Sequence, residues 1–241
     1  MPDAGLTPDT FDPALFCHGR LFWRHDGSDS ARFPPALAWR LVARAAAGSD
    51  GRSVLWDPFC GTALIPCLGR LFFADDFAGI VASDIDPEAV ACARRNLAMM
   101  QDRAAFGERR RAVEGFRGRN KKSEARWGAV SQYMDRIESL VDAAAHKSCP
   151  VTTWSVSAGE QFPEADRVAL ITDLPYGNAS VLVGDGLVDI IESVRANPGD
   201  LSMDLIATKQ QEQELVKRFD DLLTRPIRGG RVQIMWDSRF R

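Results

Sequence analysis

An α/β fold built around a mostly parallel sheet is the fold that this sequence of 241 residues predicts. Short apolar runs alternate with segments of helical periodicity, which is the order that βαβ units with right-handed crossovers require. Three of the apolar runs end in aspartate, at Asp57, Asp84 and Asp173. Because ligands bind at the carboxyl ends of parallel strands, these acids are the first candidates for a functional site.

The individual elements can be assigned in order along the chain. Prolines at 34, 35 and 87 mark helix starts, and apolar residues at three- to four-residue spacing mark the helices. Strands are expected at residues 54–56, 79–84, 151–156, 168–172, 205–208 and 232–236, and helices at 36–45, 62–73, 87–100, 127–144 and 212–223. These elements fit a single domain over residues 1–241, with an N-terminal extension at 1–32 and a basic helical insertion at 101–148.

Composition narrows the class of protein. No apolar run approaches the roughly 18 residues needed to span a bilayer, and the first residues lack the order of a signal peptide. The five cysteines never form a Cys-x-x-Cys pair and the three histidines lie far apart, so neither a disulfide framework nor a metal site is indicated. We therefore expect a cytoplasmic protein without a metal ion and without membrane association. We also expect a monomer.

Charge is distributed unevenly along the chain. The net charge is −3, but residues 94–126 carry +7, which leaves −10 for the remainder. A basic segment on an acidic background is typical of a surface that binds a polyanion such as nucleic acid.

The segment Asp57-Pro58-Phe59-Cys60-Gly61-Thr62-Ala63 joins a strand end to a tight turn and a helix start, as nucleotide-binding elements do. It has no lysine after its glycine, so it is not a P-loop, and the Asp57 carboxylate would repel a pyrophosphate. The segment resembles motif I of S-adenosylmethionine-dependent methyltransferases, in the branch that methylates base amines. The expected cofactor-binding residues here are Asp57, Pro58, Cys60, Gly61, Thr62 and Ala63.

Ala63 departs from the usual pattern, which has a second glycine at this position. A methyl group there is compatible with a ligand if the backbone dihedral is helical.

Further cofactor contacts are expected at the next two strand ends. Asp84 follows Asp57 by 27 residues, where a carboxylate can accept hydrogen bonds from ribose hydroxyls. Asp86 competes for that role or caps the helix that Pro87 opens, and Ile85 lies between the two acids. Gly159 and Glu160 follow the third strand and are expected to border the adenine.

The candidate catalytic residues are Asp173, Leu174, Pro175 and Tyr176, within Thr172–Gly177. This segment is similar to the (Asp/Asn)-Pro-Pro-Tyr motif of amino-methyltransferases, with Leu174 in place of the first proline. Asp173 and the Leu174 carbonyl could accept the hydrogens of a base amine, while Tyr176 stacks on a flipped base. Taken alone, the same residues also form a turn sequence.

The three motifs together resemble the AviRa-type 23S ribosomal RNA guanine methyltransferases, the avilamycin-resistance family. They are Asp57-Pro58-Phe59-Cys60-Gly61, Ala82-Ser83-Asp84-Ile85-Asp86-Pro87 and Asp173-Leu174-Pro175-Tyr176-Gly177. The resemblance covers roughly residues 15–210. It implies a Rossmann-like methyltransferase fold with a seven-stranded sheet, S-adenosyl-L-methionine as cofactor, and a guanine of 23S ribosomal RNA or of the large subunit as substrate. Resistance to an orthosomycin-type antibiotic would follow from that substrate.

The expected RNA-binding residues lie in the basic segment: Arg109, Arg110, Arg111, Arg117, Arg119, Lys121 and Lys122. Gly107, Gly115 and Gly118 indicate that this segment is flexible without RNA. In the N-terminal extension, aromatic and basic residues interleave and could stack on unpaired bases, although core packing explains at least half of the aromatics.

Two other functions remain open at this point. A DNA adenine or cytosine amino-methyltransferase uses similar motifs, but the chain offers no sizeable target-recognition domain. An RNA-binding module that keeps the fold but binds cofactor poorly is the non-enzymatic alternative.

Overall fold

The computed structural model of the protein describes residues 12, 16, 21–24, 33–117, 119, 121–145, 149–155, 162–175, 185–196 and 199–240. Its centre is a sheet of seven strands in the order β3-β2-β1-β4-β5-β7-β6. The strands are β1 (Val54–Asp57), β2 (Gly79–Asp84), β3 (Val151–Ser155), β4 (Arg167–Asp173), β5 (Asp200–Thr208), β6 (Leu223–Ile227) and β7 (Arg231–Asp237). Neighbouring strands pair in parallel except that β7 runs antiparallel to both β5 and β6. The predicted α/β class with a mostly parallel, seven-stranded sheet is confirmed.

Helices cover both faces of this sheet. They are α1 (Pro35–Ala47), α2 (Leu64–Phe72), α3 (Pro87–Met99), α4 (Arg103–Arg117), α5 (Lys121–Ala145), α6 (Asp185–Arg195) and α7 (Lys209–Arg218). One core packs α1 to α5 against one face of the sheet, and a second core packs α6 and α7 against the other. The central strands are therefore buried on both sides, which explains why they read as continuous apolar runs.

The carboxyl ends of β2, β1 and β4 lie side by side because these three strands are neighbours and parallel. Asp57, Asp84 and Asp173 are the last residues of these strands. The order reverses at β1, since β2 lies on one side of it and β4 on the other, and such a switch point opens a crevice above the sheet.

The C-terminal part of the sheet differs from the prediction. The last long helix ends at Arg218 instead of residue 223, and Leu223–Ile227 forms the edge strand β6. This strand is mostly exposed and contains Pro226, so it carries none of the apolar alternation that marks a strand in sequence. The strand expected at 205–208 begins earlier, at Asp200.

The basic segment forms helices despite its glycines. Gly107 and Gly115 lie within α4, whose residues Phe106 and Val113 are buried in the core, and Gly118 lies outside the described residues, so flexibility without RNA stays a prediction. Apolar anchoring at two positions outweighs the roughly 1 kcal/mol that each helical glycine costs. The helix expected from residue 127 onward is confirmed and starts earlier, at Lys121.

A close approach between α2 and the sheet depends on Gly69. A Cβ at this position would lie 2.5 Å from Leu55 Cδ2 and 3.4 Å from Ile80 Cδ1. We expect Gly69→Ala to lower the free energy of unfolding by about 1 kcal/mol, because overpacking costs more than the gain in helix propensity. Urea unfolding at equilibrium measures the difference.

The matched control is Gly115→Ala, since a Cβ at Gly115 would meet no atom within 4 Å. This exposed helical position should gain roughly 0.5–1 kcal/mol. The same sign of change for both variants would contradict the close approach at Gly69.

Candidate active site

The loop after β1 is tied to its neighbours by backbone and side-chain hydrogen bonds. The Cys60 amide donates to the Ser83 carbonyl at 2.9 Å, which fixes the loop to β2. Gly61 has a φ of +50°, and its amide donates to Asp84 Oδ2 at 2.9 Å. A Cβ at Gly61 would meet no atom within 4 Å, so the space beside the loop is open. The loop and Asp84 thus form one edge of a crevice.

Ala63 has a φ of +62° and a ψ of +41°, in the left-handed region that an alanine adopts only at a cost of about 1–2 kcal/mol. The backbone at Ala63 is thus left-handed and not helical as the condition for tolerating alanine required, and glycine would be unstrained there. The Ala63 side chain is 0% exposed and belongs to the protein core. Its methyl group therefore takes no space from a ligand in the crevice.

Asp84 and Asp86, at the end of β2 and just after it, have different roles: one faces the crevice and the other caps a helix. The Asp86 side chain accepts from the Glu88 amide at 2.8 Å and caps α3. Asp84 accepts from the amides of Gly61 and Asp86, at 2.9 and 3.1 Å. Burial raises the pKa of Asp84, while these amide hydrogen bonds oppose that shift. Ile85, between the two acids, is 62% exposed beside the crevice.

Asp57 is almost completely enclosed, with 3% of the residue exposed. The Thr172 hydroxyl donates to Asp57 Oδ1 at 2.6 Å and the Phe59 amide donates to the same oxygen at 3.3 Å. Burial raises the pKa of Asp57 to about 8, and the nearby carboxylates of Asp84 and Asp173 raise it further, against these two hydrogen bonds. Asp57 is therefore protonated at neutral pH until a cation approaches it.

Asp173 ends β4 and forms an ion pair with Arg231, the first residue of β7. Burial raises the pKa of Asp173 to about 6, and the Arg231 guanidinium opposes this rise. The Leu174 amide donates to the Ile206 carbonyl at 2.9 Å, and Gln211 Nε2 donates to the Pro175 carbonyl at 2.8 Å. The start of the predicted catalytic segment is thus held by β5, α7 and β7.

Two residues of this site, Arg231 and Gln211, lie beyond the motifs and gave no signal in the sequence. Asn96 is buried on α3 and donates to the carbonyls of Trp23 and Thr62 at 3.1 and 3.0 Å. It also accepts from the Trp23 amide at 2.7 Å. Asn96 therefore connects the N-terminal extension to the loop after β1.

The described N-terminal aromatics are buried or partly buried. Phe16 and Phe22 are buried in the main core and stack on each other with ring centroids 5.7 Å apart. Trp23 lies beneath two guanidinium groups, those of Arg95 and Arg109, at 3.9 and 4.5 Å from the ring centroid. Core packing thus accounts for Phe16 and Phe22.

The predicted RNA-binding residues differ in burial and in their partners, and Arg109 does not lie on the surface. Arg109 is 3% exposed, and its guanidinium donates to the Leu21 and Phe22 carbonyls at 2.7 and 3.2 Å. Burial lowers its pKa to about 10. A buried guanidinium that holds the N-terminal segment cannot reach a phosphate, and we leave Arg109 out of the RNA surface.

Two more of the predicted RNA contacts are engaged within the protein. Arg110 pairs with Asp135 and Glu138 of α5 at 2.8 and 2.6 Å, and Arg117 pairs with Glu124 at 2.6 Å. The remaining predicted residues are exposed: Arg111, Arg119, Lys121 and Lys122. Arg119 lies over the ring of Phe116, 4.6 Å from its centroid.

Some predicted site residues cannot be placed. Tyr176, Gly159 and Glu160 lie outside the described residues. Among the residues that are described, no group of three or more His, Cys, Asp or Glu side chains could hold a metal ion. The described helices also include none long and apolar enough to cross a membrane.

A cavity of about 430 Å³ lies elsewhere, beside the beginnings of β4 and β5. Its lining includes Arg167, Asp200 and Asp237, at the edge of the sheet opposite to Asp57 and Asp173. The three motifs converge at the other edge, so we place the candidate active site there.

A protein with a named activity is similar to this chain in sequence. A protein from Streptomyces viridochromogenes named 23S rRNA (guanine(2535)-N(1))-methyltransferase is 29% identical over 163 residues, which are 64% of this chain and 63% of that protein. The chain thus matches less than two thirds of that relative's length.

Two solved structures share the fold. The rRNA methyltransferase aviRa of S. viridochromogenes, at 1.5 Å resolution, has a TM-score of 0.68 and 23% identity, over 94% of this chain and 93% of that one. A predicted N6-adenine-specific DNA methylase from Listeria monocytogenes has a TM-score of 0.51 and 12% identity, over 92% of this chain and 55% of that one.

A family model described as rRNA methyltransferase AviRa matches residues 12–220, a range that includes all three motifs. With the motifs at one sheet edge and the same fold in a solved relative, the chain belongs to the AviRa family of rRNA methyltransferases.

Proposed function

We propose that this protein transfers the methyl group of S-adenosyl-L-methionine to a guanine of 23S ribosomal RNA. The observation that carries the proposal is the position of Asp57, Asp84 and Asp173 at the carboxyl ends of three adjacent strands. The family, and the activity in the name of the S. viridochromogenes relative, support the choice of substrate.

The residues at the first two strand ends fit the cofactor. Asp84 has two carboxylate oxygens beside the open space at Gly61 and would accept the ribose hydroxyls there. Exposed Ile85 would contact the adenine, with Gly159 and Glu160 at its border. Asp57 would bind the positively charged methionine end and ionise as it does so.

The rest of the loop after β1 has a shaping role in this proposal. The backbones of Pro58, Cys60, Gly61 and Thr62 form its turn, and Ala63 anchors it in the core. Asp86 caps α3 and donates its amide to Asp84, which orients the ribose-binding carboxylate.

S-adenosyl-L-methionine supplies an electrophilic methyl group on a sulfonium. The motif at Asp173 alone suggested an exocyclic amine as its acceptor, whereas the name of the relative specifies ring N1. We propose that Asp173 accepts the N1–H of guanine and the Leu174 carbonyl accepts a hydrogen of the 2-amino group. The Asp173 carboxylate would take the N1 proton that the methyl group of the bound cofactor replaces.

A carboxylate with a pKa of about 6 suits this step. It is mostly ionised at neutral pH, yet it is more basic than an ordinary aspartate. Pro175 stiffens the segment, and Tyr176 would stack on the base once the base has left its helix.

The exposed residues Arg111, Arg119, Lys121 and Lys122 would contact RNA phosphates. We expect the triple variant Arg111→Ala, Lys121→Ala, Lys122→Ala to bind a 23S RNA transcript more weakly. The slope of log K against log salt should flatten by about 2 to 3, because each phosphate contact contributes close to one. Fluorescence anisotropy over a series of KCl concentrations measures both changes.

The matched control removes three exposed basic residues elsewhere, Arg40, Lys217 and Arg228. Equal loss of affinity in both triple variants would assign the effect to net charge alone and contradict a defined RNA surface on α4 and α5.

The proposed function is tested by nucleoside mass spectrometry of 23S ribosomal RNA from cells with and without the gene. We expect 1-methylguanosine at one additional position in cells that have it; 2-methylguanosine instead would place the acceptor on the exocyclic amine. No difference in any guanosine would contradict the proposal. We further propose that the protein is cytoplasmic and acts as a monomer on RNA or the large subunit. Growth in the presence of an orthosomycin tests whether resistance follows.

Each of the two alternative functions predicts a different experimental result. Methyl transfer to DNA in place of RNA by the purified protein would favour a DNA amino-methyltransferase. Absence of S-adenosylmethionine binding in calorimetry would favour a cofactor-poor RNA-binding module. The core position of the Ala63 side chain removes the steric reason for that module.

A further inference from the structure

The ion pair between Asp173 and Arg231 joins the candidate catalytic carboxylate to the C-terminal hairpin. Both side chains are mostly buried, with 17% and 18% of their surfaces exposed. Arg231 also lies beyond residues 12–220, the range that the family model matches. It is therefore a contact that neither the motifs nor the family match assigns.

Strand register explains how Arg231 reaches Asp173. Asp173 pairs with Ile206 of β5, and Arg231 pairs with Thr208 on the other side of β5. The guanidinium thus extends across β5 to the carboxylate. Gly229 and Gly230, with φ of +79° and +72°, form the turn between β6 and β7 and fix the start of β7 at Arg231.

We propose that Arg231 is a positioning residue for methyl transfer: its guanidinium holds Asp173 ionised and in one orientation at the end of β4. The proposal rests on the proposed function, in which Asp173 accepts the proton of the base. Arg231 acts through Asp173, so its loss should change how Asp173 titrates and not only how fast the enzyme works.

The charged groups around Asp173 support this role. Arg231 faces it from β7 and favours the ionised carboxylate, while Asp57 on β1 is neutral at neutral pH when no ligand is bound. Burial disfavours the ionised form of Asp173. Without the guanidinium, burial is unopposed by a positive charge, and a neutral carboxyl group cannot take the proton.

The first test measures kcat against pH for Arg231→Met and Arg231→Lys with saturating S-adenosylmethionine and RNA. For Arg231→Met we expect the acid limb to move up by about one pH unit or more, with a loss of roughly fivefold or more at pH 6 that is recovered at higher pH. Arg231→Lys should keep the midpoint near that of the wild type. The control, Arg225→Met on the exposed edge strand β6, should not move it. A uniform loss in Arg231→Met with an unchanged midpoint would overturn the proposal.

A second readout does not need turnover. The Asp173 carboxyl carbon can be titrated by NMR in the protein without ligands, with Asp173→Asn to assign its signal. A higher midpoint in Arg231→Met than in the wild type supports the role of Arg231, and an unchanged midpoint overturns it. If the wild type methylates no RNA, the proposed function fails while this titration still decides the role of the ion pair.

Discussion

Asp173→Asn is expected to lower kcat for RNA methylation by about 10²- to 10⁴-fold, the range that general-base catalysis contributes. Asparagine is close to aspartate in shape but cannot accept a proton, and its amide group donates where the N1–H of guanine also donates. In this variant Arg231 also loses the carboxylate with which it forms an ion pair. Initial rates of transfer of labelled methyl groups to 23S RNA measure the effect.

Cofactor affinity serves as the internal control for that variant. Asp173 lies on β4, outside the loop and the β2 end that we propose for the cofactor, so the Kd for S-adenosylmethionine should change far less than kcat. Asp166→Asn, at the exposed position just before β4, is the matched control and should retain full activity. A turnover close to that of the wild type in Asp173→Asn would exclude the proposed proton acceptor.

The second large effect is expected at Asp57, where function and stability oppose each other. The folded-state pKa is raised to about 8 from an ordinary value of 3.8. The unfolded chain therefore ionises Asp57 near pH 4, whereas the folded chain holds the proton until pH 8. The free energy of unfolding from this group is highest below pH 4 and falls as the pH rises toward 8.

Asp57→Asn should remove this pH-dependent fall in the free energy of unfolding, because an amide stays neutral at every pH. At pH 8 we expect the variant without ligand to be more stable than the wild type by a few kcal/mol, at about 1.4 kcal/mol per pKa unit and with partial relaxation of the buried site. At pH 4 the two should be nearly equal. Thermal and urea unfolding from pH 4 to 8 measure the difference.

The same substitution should weaken S-adenosylmethionine binding by tenfold or more, because the carboxylate that meets the cationic methionine end is gone. Asp220→Asn, at an exposed position, should alter neither stability nor binding. If Asp57→Asn followed the pH dependence of the wild type, the buried, protonated state of Asp57 would be ruled out.

The sequence located the site but not the partners of its residues. Asp57, Asp84 and Asp173 could be predicted together because parallel strands end at one edge of a sheet. Arg231 and Gln211 could not, since their contacts depend on the antiparallel register of β7 and on the packing of α7. Such long-range pairings leave no periodic mark in the sequence.

The three consecutive arginines show a different limit. Successive residues on a helix point about 100° apart, so a run of like residues cannot share one surface. Arg109 is buried against the N-terminal segment, Arg110 pairs with α5, and Arg111 is exposed. Composition identified a basic segment correctly, and only the orientation of α4 shows which arginines remain for RNA.

The hydroxyl of Thr172 has a consequence for how the two substrates influence each other. Thr172 donates to Asp57, and the next residue along the strand is Asp173. Thr172 and Asp173 therefore link the Asp57 carboxyl group, which responds to the cofactor charge, to the carboxylate that responds to the base. Ionisation of Asp57 on cofactor binding alters the field at Asp173, so the two binding free energies are coupled. By thermodynamic reciprocity, RNA must shift cofactor affinity by the same factor by which cofactor shifts RNA affinity.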